Sequence, residues 1–119
     1  SIMTRLRSIV EETGAGVILV SHLRRIDGNK GHENGIEVNL SHLRGSQSIA
    51  QLSDCVLALE RNQQSDDHQE SQTTKVRVLK SRYTGDVGLA CNLLYDSETG
   101  RLKEISNEDL EVVDNKEGF

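Results

Sequence analysis

Large aromatic side chains are almost absent from this chain of 119 residues. It contains no Trp, one Phe and two Tyr, and only 34% of its residues are hydrophobic. A chain of this length buries a modest share of its surface even when it is well packed. We therefore expect one small domain or part of a larger one, whose core depends on further sequence or on neighbouring subunits for cover.

Long apolar runs are also missing. No run approaches the roughly 18 residues that a membrane-spanning helix needs, and no signal-peptide pattern is visible, so no membrane association is expected. Residues 1–3 already follow a helical pattern. This start predicts that the sequence opens inside a domain.

The signatures of several enzyme classes are absent. Cys55 and Cys91 are isolated within apolar runs and lack metal-ligand spacing, so we interpret both as buried, reduced thiols of an intracellular protein. The four histidines form neither HExxH nor a close pair, which argues against a metal site. No serine elbow or Cys/His signature is present. The segment 28–31 lacks the GxxxxGK[ST] spacing of a phosphate-binding Walker A loop.

The negative charge of the chain is concentrated at one end. The net charge is −5, and residues 104–119 alone hold six acids against one base. The preceding residues are neutral overall, so the acidic pI does not argue against nucleic-acid binding by the body of the chain. We expect residues 1–105 to form the folded unit and residues 106–119 to be an acidic, disordered tail.

Apolar periodicity predicts an α/β segment followed by hairpins. Helical spacing from Ile2 onward predicts a helix that stops at Gly14, and the β-branched run at 17–20 predicts a buried parallel strand. The remaining predicted elements are a short helix at 47–53, strands at 55–59, 75–82, 89–95 and 101–105, a loop at 21–39 and a polar linker at 62–74.

His22 is the first candidate for chemistry. It follows the predicted strand at 17–20, and open α/β sheets bind ligands just beyond the carboxyl ends of their strands. At that position a histidine can sense a phosphate. The alternative is a histidine that only forms a hydrogen bond at the sheet edge.

Lys80 and Arg82 are the second candidate. Residues two apart on a strand point to the same side, so both cations continue the face of Val76 and Val78. Cations at the end of an apolar face are costly to leave unpaired. Either acids of the same chain neutralise them, or a polyphosphate does, in which case an arginine finger can stabilise transition-state charge. A strand end that merely extends its charges into solvent is equally plausible at this point.

A glycine- and serine-containing helix start is the third candidate. Arg44, Gly45 and Ser46 precede the short helix predicted at 47–53, and the exposed backbone N–H groups of such a start suit phosphates. Upstream, Arg24, Arg25 and Lys30 make a mildly basic loop. The pattern alone is weak, because an ordinary helix-capping turn looks similar.

Five segments in order carry a family resemblance. VSHLRR, LRGSQSIAQLSD, ALERNQQ, KSRYTGDVG and YDSETG resemble the closing motifs of phage primase–helicases and their mitochondrial relative and, more loosely, of bacterial DnaB-type replicative helicases. The resemblance covers roughly residues 1–103. It implies a partial RecA-like (P-loop NTPase) α/β fold, the C-terminal half with central sheet strands and β-hairpins.

The resemblance also implies roles for single residues. His22 matches the sensor of the γ-phosphate, Gln51 the glutamine that couples DNA to nucleotide, and Arg82 the arginine finger that acts on a neighbouring subunit, with Lys80 as its companion. Arg61 and Tyr95 match the pair that sandwiches the nucleotide base. The residues that match DNA-binding loops are Arg24, Arg25, Lys30, Arg44, Gly45 and Ser46.

The resemblance implies an ATP-dependent helicase that moves 5′ to 3′ on single-stranded DNA and unwinds duplex at the replication fork, with or without a fused primase. The expected cofactor is ATP or dTTP with Mg²⁺, and the expected assembly is a ring of six or seven subunits. The acidic tail implies a contact with the replicative DNA polymerase. The expected location is the cytoplasm of a phage-infected bacterium, in preference to the mitochondrion.

Two features limit this interpretation. Walker A and the Walker B aspartate do not occur in the chain, and their chemistry is indispensable for hydrolysis, so we expect the chain alone to be inactive. The alternatives are a non-catalytic RecA-like remnant that serves as a protein-interaction module, and part of a RecA-family recombinase ATPase.

Overall fold

A four-stranded antiparallel meander is the main feature of the computed structural model, which describes residues 2–22, 37, 39, 40 and 47–109. The strands follow one another in chain order, β1-β2-β3-β4. The helices are α1 (Ile2–Thr13), α2 (Gln47–Leu52) and α3 (His68–Ser71), and the strands are β1 (Cys55–Arg61), β2 (Thr73–Ser81), β3 (Gly88–Asp96) and β4 (Arg101–Ile105).

The pairing of β1 with β2 defines two ends of the sheet. Cys55 lies opposite Ser81 at one end, and Arg61 lies opposite Thr74 at the other; we call these the Cys55 end and the Arg61 end. The register shifts by one residue between Val56 and Leu57. Such a bulge changes which side chains share a face, so the face of β2 cannot be read from simple alternation.

The burial of β1 alternates along the strand. Val56, Ala58 and Glu60 are buried, whereas Leu57 and Leu59 are 62% and 67% exposed. Val56 and Ala58 are the only buried hydrophobic residues in the part of the chain that the structure describes. Alternation of this kind is typical of a sheet covered on one face only, which agrees with the expected shortage of core.

The prediction that both cysteines are buried was wrong. Both cysteines are free, but Cys55 is exposed and Cys91 is half-buried. Cys55 lies on the uncovered face of β1, where an apolar neighbourhood along the sequence does not give burial.

The parallel strand predicted at 17–20 is not formed. These residues have no regular secondary structure, and Ile18 and Val20 are 96% and 86% exposed. A strand of this type needs hydrogen-bonded neighbours and cover on both faces, and no described residue supplies them. The helix before it is confirmed: Gly14, at φ 72°, ends α1 with an N–H that donates to the carbonyl of Val10 at 2.8 Å.

The polar linker predicted at 62–74 contains structure. Asp67 caps the short helix α3 by accepting a hydrogen bond from the backbone N–H of Gln69 at 3.0 Å. The hydroxyl of Thr73 then donates to the carbonyl of Gln69 at 2.6 Å. Polar residues therefore order this connection through hydrogen bonds rather than through apolar packing.

Candidate functional site

A tight turn fixes Arg82 at the Cys55 end of the sheet. Residues 82–84 follow β2, and the N–H of Gly85 donates to the carbonyl of Ser81 at 2.8 Å. Gly85 has φ 75°, a region that residues with a Cβ adopt only at a cost. The hydroxyl of Thr84 donates to the hydroxyl of Ser81 at 2.9 Å. The turn therefore has a defined backbone that places Arg82 at its first position.

Asp54 holds Arg82 through both backbone and side chain. The N–H of Arg82 donates to the carbonyl of Asp54 at 2.8 Å, which continues the pairing of β1 with β2 by one step. An Nη atom of Arg82 also lies 2.7 Å from Oδ1 of Asp54. That oxygen has no hydrogen bond of suitable geometry, so the side-chain contact is an ion pair without an aligned hydrogen bond. The side chain of Arg82 remains 43% exposed.

Arg7 of α1 occupies the other oxygen of the same carboxylate. Its Nη donates to Oδ2 of Asp54 at 2.8 Å, and its Nε donates to Glu11 at 3.2 Å. The hydrogen bond to Asp54, and after it the one to Glu11, raises the pKa of the Arg7 guanidinium above its ordinary value. One carboxylate therefore joins α1, the end of α2 and the turn after β2.

Lys80 lies beside this cluster and binds the end of α2. Its Nζ donates to the carbonyl of Ala50 at 2.7 Å and to the carbonyl of Gln51 at 3.1 Å. The last carbonyls of a helix lack partners within the helix, and a cation near them is favourable. Two of the three ammonium protons are thus engaged, and one remains for another acceptor. Lys80 and Arg82 are both held by residues 50–54.

Arg61 and Tyr95 lie at the Arg61 end, next to α3. Nε of Arg61 donates to the carbonyl of Ser71 at 2.6 Å, and the backbone N–H of Tyr95 donates to the carbonyl of Gln72 at 3.0 Å. Two adjacent carbonyls at the end of α3 therefore fix both residues. Tyr95 is 40% exposed, which leaves part of its ring available to a ligand.

Arg77 and Glu60 form a second charged cluster on the covered face of the sheet. Nε and Nη of Arg77 donate to the two carboxylate oxygens of Glu60 at 2.7 and 3.2 Å. Glu37 adds a longer contact to Arg77 at 3.5 Å. The bonds to Glu60 raise the pKa of the Arg77 guanidinium. Both partners are buried or nearly so, which indicates a structural role.

Some of the sequence-predicted residues are not brought into this arrangement. His22 ends the segment without regular secondary structure that follows α1, and it is exposed. Its carbonyl accepts a long hydrogen bond from the hydroxyl of Ser21 at 3.4 Å. The side chain of Gln51 is exposed, and its carbonyl is what contacts Lys80. The predicted DNA-binding residues fall outside the described residues: Arg24, Arg25, Lys30, Arg44, Gly45 and Ser46.

The described residues contain neither a candidate membrane span nor a candidate metal cluster. No helix within 2–22 or 47–109 is long and apolar enough to cross a membrane. In the same ranges, no three His, Cys, Asp or Glu side chains come together in a way that could hold a metal ion.

Comparison with known proteins decides the family. The model of the DnaB-like helicase C-terminal domain matches residues 1–104. The DNA helicase/primase of Enterobacteria phage T3 is 42% identical over 105 residues, which is 88% of this chain and 18% of that protein. This chain belongs to the DnaB-like helicase C-terminal domain family. The domain is RecA-like, and the α/β mixture with its four-stranded sheet is consistent with part of that fold. The chain spans about a fifth of the length of this relative.

Membership of this helicase family agrees with the resemblance inferred from the five motifs, and it implies use of a nucleotide with Mg²⁺. Sequence reasoning did not identify Asp54 or Arg7 as parts of the site. A sequence signal for Asp54 existed, because it ends the motif LRGSQSIAQLSD, and neutralisation of the cations by acids of the same chain was one of the alternatives. Arg7 gave no signal beyond its place on the polar face of α1.

Proposed function

We propose that this chain is the C-terminal part of the motor domain of an ATP-dependent, ring-forming replicative DNA helicase. The parent protein would move 5′ to 3′ along single-stranded DNA and unwind duplex at the replication fork. Family membership and the likeness to a phage DNA helicase/primase support the proposal. The localisation that follows is the cytoplasm of a phage-infected bacterium.

The observation that carries the proposal is the separation of two cationic sites in one chain. Lys80 and Arg82 lie at the Cys55 end, and Arg61 and Tyr95 lie at the Arg61 end. Strand β1 has seven residues, so the ends are roughly 20 Å apart at about 3.3 Å per residue. Two groups at that distance are suited to two different nucleotides, one at each face of a subunit. A ring of six or seven subunits has this geometry at every interface.

At the Arg61 end, the planar groups suit a nucleotide base. A guanidinium stacks on aromatic faces as well as donating hydrogen bonds. Because Arg61 is anchored through Nε, its terminal nitrogens and its plane can face a base, and the half-exposed ring of Tyr95 supplies a second plane. ATP or dTTP would bind here, with Mg²⁺ ligands supplied from outside this chain.

At the Cys55 end, Arg82 would reach the γ-phosphate held by a neighbouring subunit, with the free N–H of Lys80 beside it. His22 would sense the γ-phosphate of the nucleotide that its own subunit binds. An arginine finger stabilises the charge that develops on the transferred phosphoryl group and is worth roughly 10³- to 10⁵-fold in kcat. The chain contributes these responding groups and no phosphate-binding loop.

Single-stranded DNA would bind through Arg24, Arg25, Lys30, Arg44, Gly45 and Ser46, with Gln51 coupling that contact to the nucleotide. Binding through phosphate contacts is sequence-tolerant and falls steeply with salt. The acidic tail at 106–119 would contact the replicative DNA polymerase.

The test is Arg82→Ala in the intact helicase, with Arg101→Ala as the control because Arg101 is an exposed arginine on β4. We expect Arg82→Ala to reduce DNA-stimulated nucleotide hydrolysis by at least about 10³-fold, while binding of a fluorescent nucleotide analogue stays within a factor of about two. Arg101→Ala should match the wild type in both measurements. Retained turnover in Arg82→Ala would show that the finger assignment is wrong.

A further inference from the structure

Three residues from distant parts of the sequence form a continuous charge chain: Arg7 on α1, Asp54 after α2 and Arg82 after β2. The two guanidinium groups bind opposite oxygens of one carboxylate, at 2.8 and 2.7 Å. Their side chains are 27%, 32% and 43% exposed in that order. The exposed fraction of the side chain rises from Arg7 to Arg82, so Arg82 is the residue of these three that is most accessible to solvent.

We propose that Asp54 is a positioning residue for Arg82, and that Arg7 fixes the orientation of Asp54. The inference rests on the proposed function, because Arg82 must act on a phosphate for its position to matter. An arginine side chain has several rotatable bonds and loses much of its freedom when it is held. A guanidinium that is already held on Asp54 loses less conformational entropy when it binds a phosphate.

The contact leaves Arg82 able to bind a second anion. Arginine has five N–H donors, so the contact of one Nη of Arg82 with Asp54 at 2.7 Å does not exhaust the donors of the guanidinium. The contact is an ion pair without an aligned hydrogen bond, so Asp54 limits the positions of the guanidinium while its N–H donors stay available to a phosphate. Because Arg7 takes the other carboxylate oxygen, Asp54 only partly neutralises Arg82.

The backbone of Asp54 also helps to position the two cations. The carbonyl of Asp54 accepts the N–H of Arg82 at 2.8 Å, and Asp54 follows Ala50 and Gln51, whose carbonyls bind Lys80. A shift of α2 would therefore move both cations together. Misplacement of a catalytic group by about 1 Å can cost roughly 100-fold in rate.

The experiment compares four variants of the intact helicase in DNA-stimulated nucleotide hydrolysis. We expect Asp54→Asn to lower kcat by roughly 10- to 100-fold with KM for nucleotide within a factor of about two. Arg7→Gln should lower kcat in the same direction by a smaller factor. Asp54→Glu, which retains the carboxylate, should recover part of the lost kcat. Arg5 is an exposed residue on the same helix, α1, so Arg5→Gln should behave as the wild type.

A double variant separates positioning from a general loss of structure. If Arg7 acts through Asp54, the combined Arg7→Gln and Asp54→Asn variant should be little slower than Asp54→Asn alone. Thermal unfolding and ring assembly are measured for each variant. If Asp54→Asn does not assemble, Arg7→Gln decides the matter: a lower kcat with KM retained supports the role of Asp54, and an unchanged kcat overturns it.

The outcomes distinguish this inference from the function on which it rests. An unchanged or increased kcat in Asp54→Asn, together with an inactive Arg82→Ala, would overturn the role of Asp54 and leave the finger intact. Retained activity in Arg82→Ala would instead overturn the proposed function. If kcat falls in proportion to thermal stability across the variants, the positioning role of Asp54 is also overturned, because the contact is then purely structural.

Discussion

Arg77 and Arg82 lie five residues apart on or just after the same strand, and they have opposite surroundings. Arg77 is 16% exposed and forms two bonds to Glu60, which is 6% exposed. Arg82 is 43% exposed and shares the single carboxylate of Asp54 with Arg7. The first pair is closed, since both oxygens of Glu60 are used by one guanidinium. The second is open, since its carboxylate is divided and its guanidinium faces solvent.

The difference shows how one strand can separate structure from function. A buried charge must be paired with good geometry because its desolvation is costly. An exposed ion pair contributes little to stability, so its geometry is free to serve another purpose. We therefore expect the Arg77 cluster to stabilise the fold and, under the proposed function, the Arg82 cluster to serve catalysis.

The largest effect should come from breaking the closed pair. We expect Glu60→Gln to lower the free energy of unfolding by about 3 kcal/mol, because it leaves the largely buried Arg77 guanidinium with an uncharged near neighbour and the longer contact to Glu37. Asp54→Asn is the matched change in the open cluster and should cost less than about 1 kcal/mol. Urea unfolding followed by circular dichroism measures both. Equal losses would show that the two clusters do not differ in this way.

Replacing each of the two arginines by lysine compares the clusters by their effect on kcat. Arg82→Lys keeps the charge but loses the planar fork of donors, so we expect kcat of the intact helicase to fall by at least about tenfold while stability is retained. Arg77→Lys, the same substitution in the closed pair, should reduce stability and leave kcat near the wild-type value. Steady-state kinetics and thermal unfolding of both variants test this. A helicase that tolerates Arg82→Lys would require only charge at this position.

The smallest effect should come from the turn that supports the open cluster. Gly85 has φ 75° and no atom within 4 Å of the site a Cβ would occupy, so Gly85→Ala meets strain in the backbone alone. We expect a loss of about 1 kcal/mol in the free energy of unfolding. Gly16, which has no neighbour within 4 Å of that site and no positive φ, is the control. If Gly16→Ala lowers the free energy of unfolding as much as Gly85→Ala does, the positive φ of Gly85 is not the cause of the loss.

The sequence was sufficient to predict the elements that depend on local pattern. Helix α1, helix α2 and the four strands all occur close to their predicted positions, because helical periodicity, short apolar runs and glycine turns specify them locally. The strand at 17–20 could not form from its composition alone, since a parallel strand requires partners. Helix α3 was missed because its polar residues carry no apolar period, although Asp67 provided a cap.

The site was predictable only in part for the same reason. Lys80 and Arg82 stand out because two cations end an apolar strand. Their partners depend on the register of β1 with β2, which brings Asp54 beside a residue 28 positions later. Arg7 is 47 positions before Asp54. No local pattern encodes contacts of that separation, and the roles of the individual residues remain predictions.

The beginning of the acidic tail is attached to the sheet. The side-chain amide of Asn92, on β3, donates to the side-chain oxygen of Asn107 at 2.7 Å, and Asn92 is only 2% exposed. Covalent geometry then limits the ten residues after Asp109 to a reach of roughly 36 Å. A polymerase that bound Phe119 would therefore stay within this distance of Asp109. If the parent protein forms a ring and its tails bind the polymerase, as proposed, the repeated tails would raise the local concentration of binding sites, and release from one tail would be followed by capture on the next.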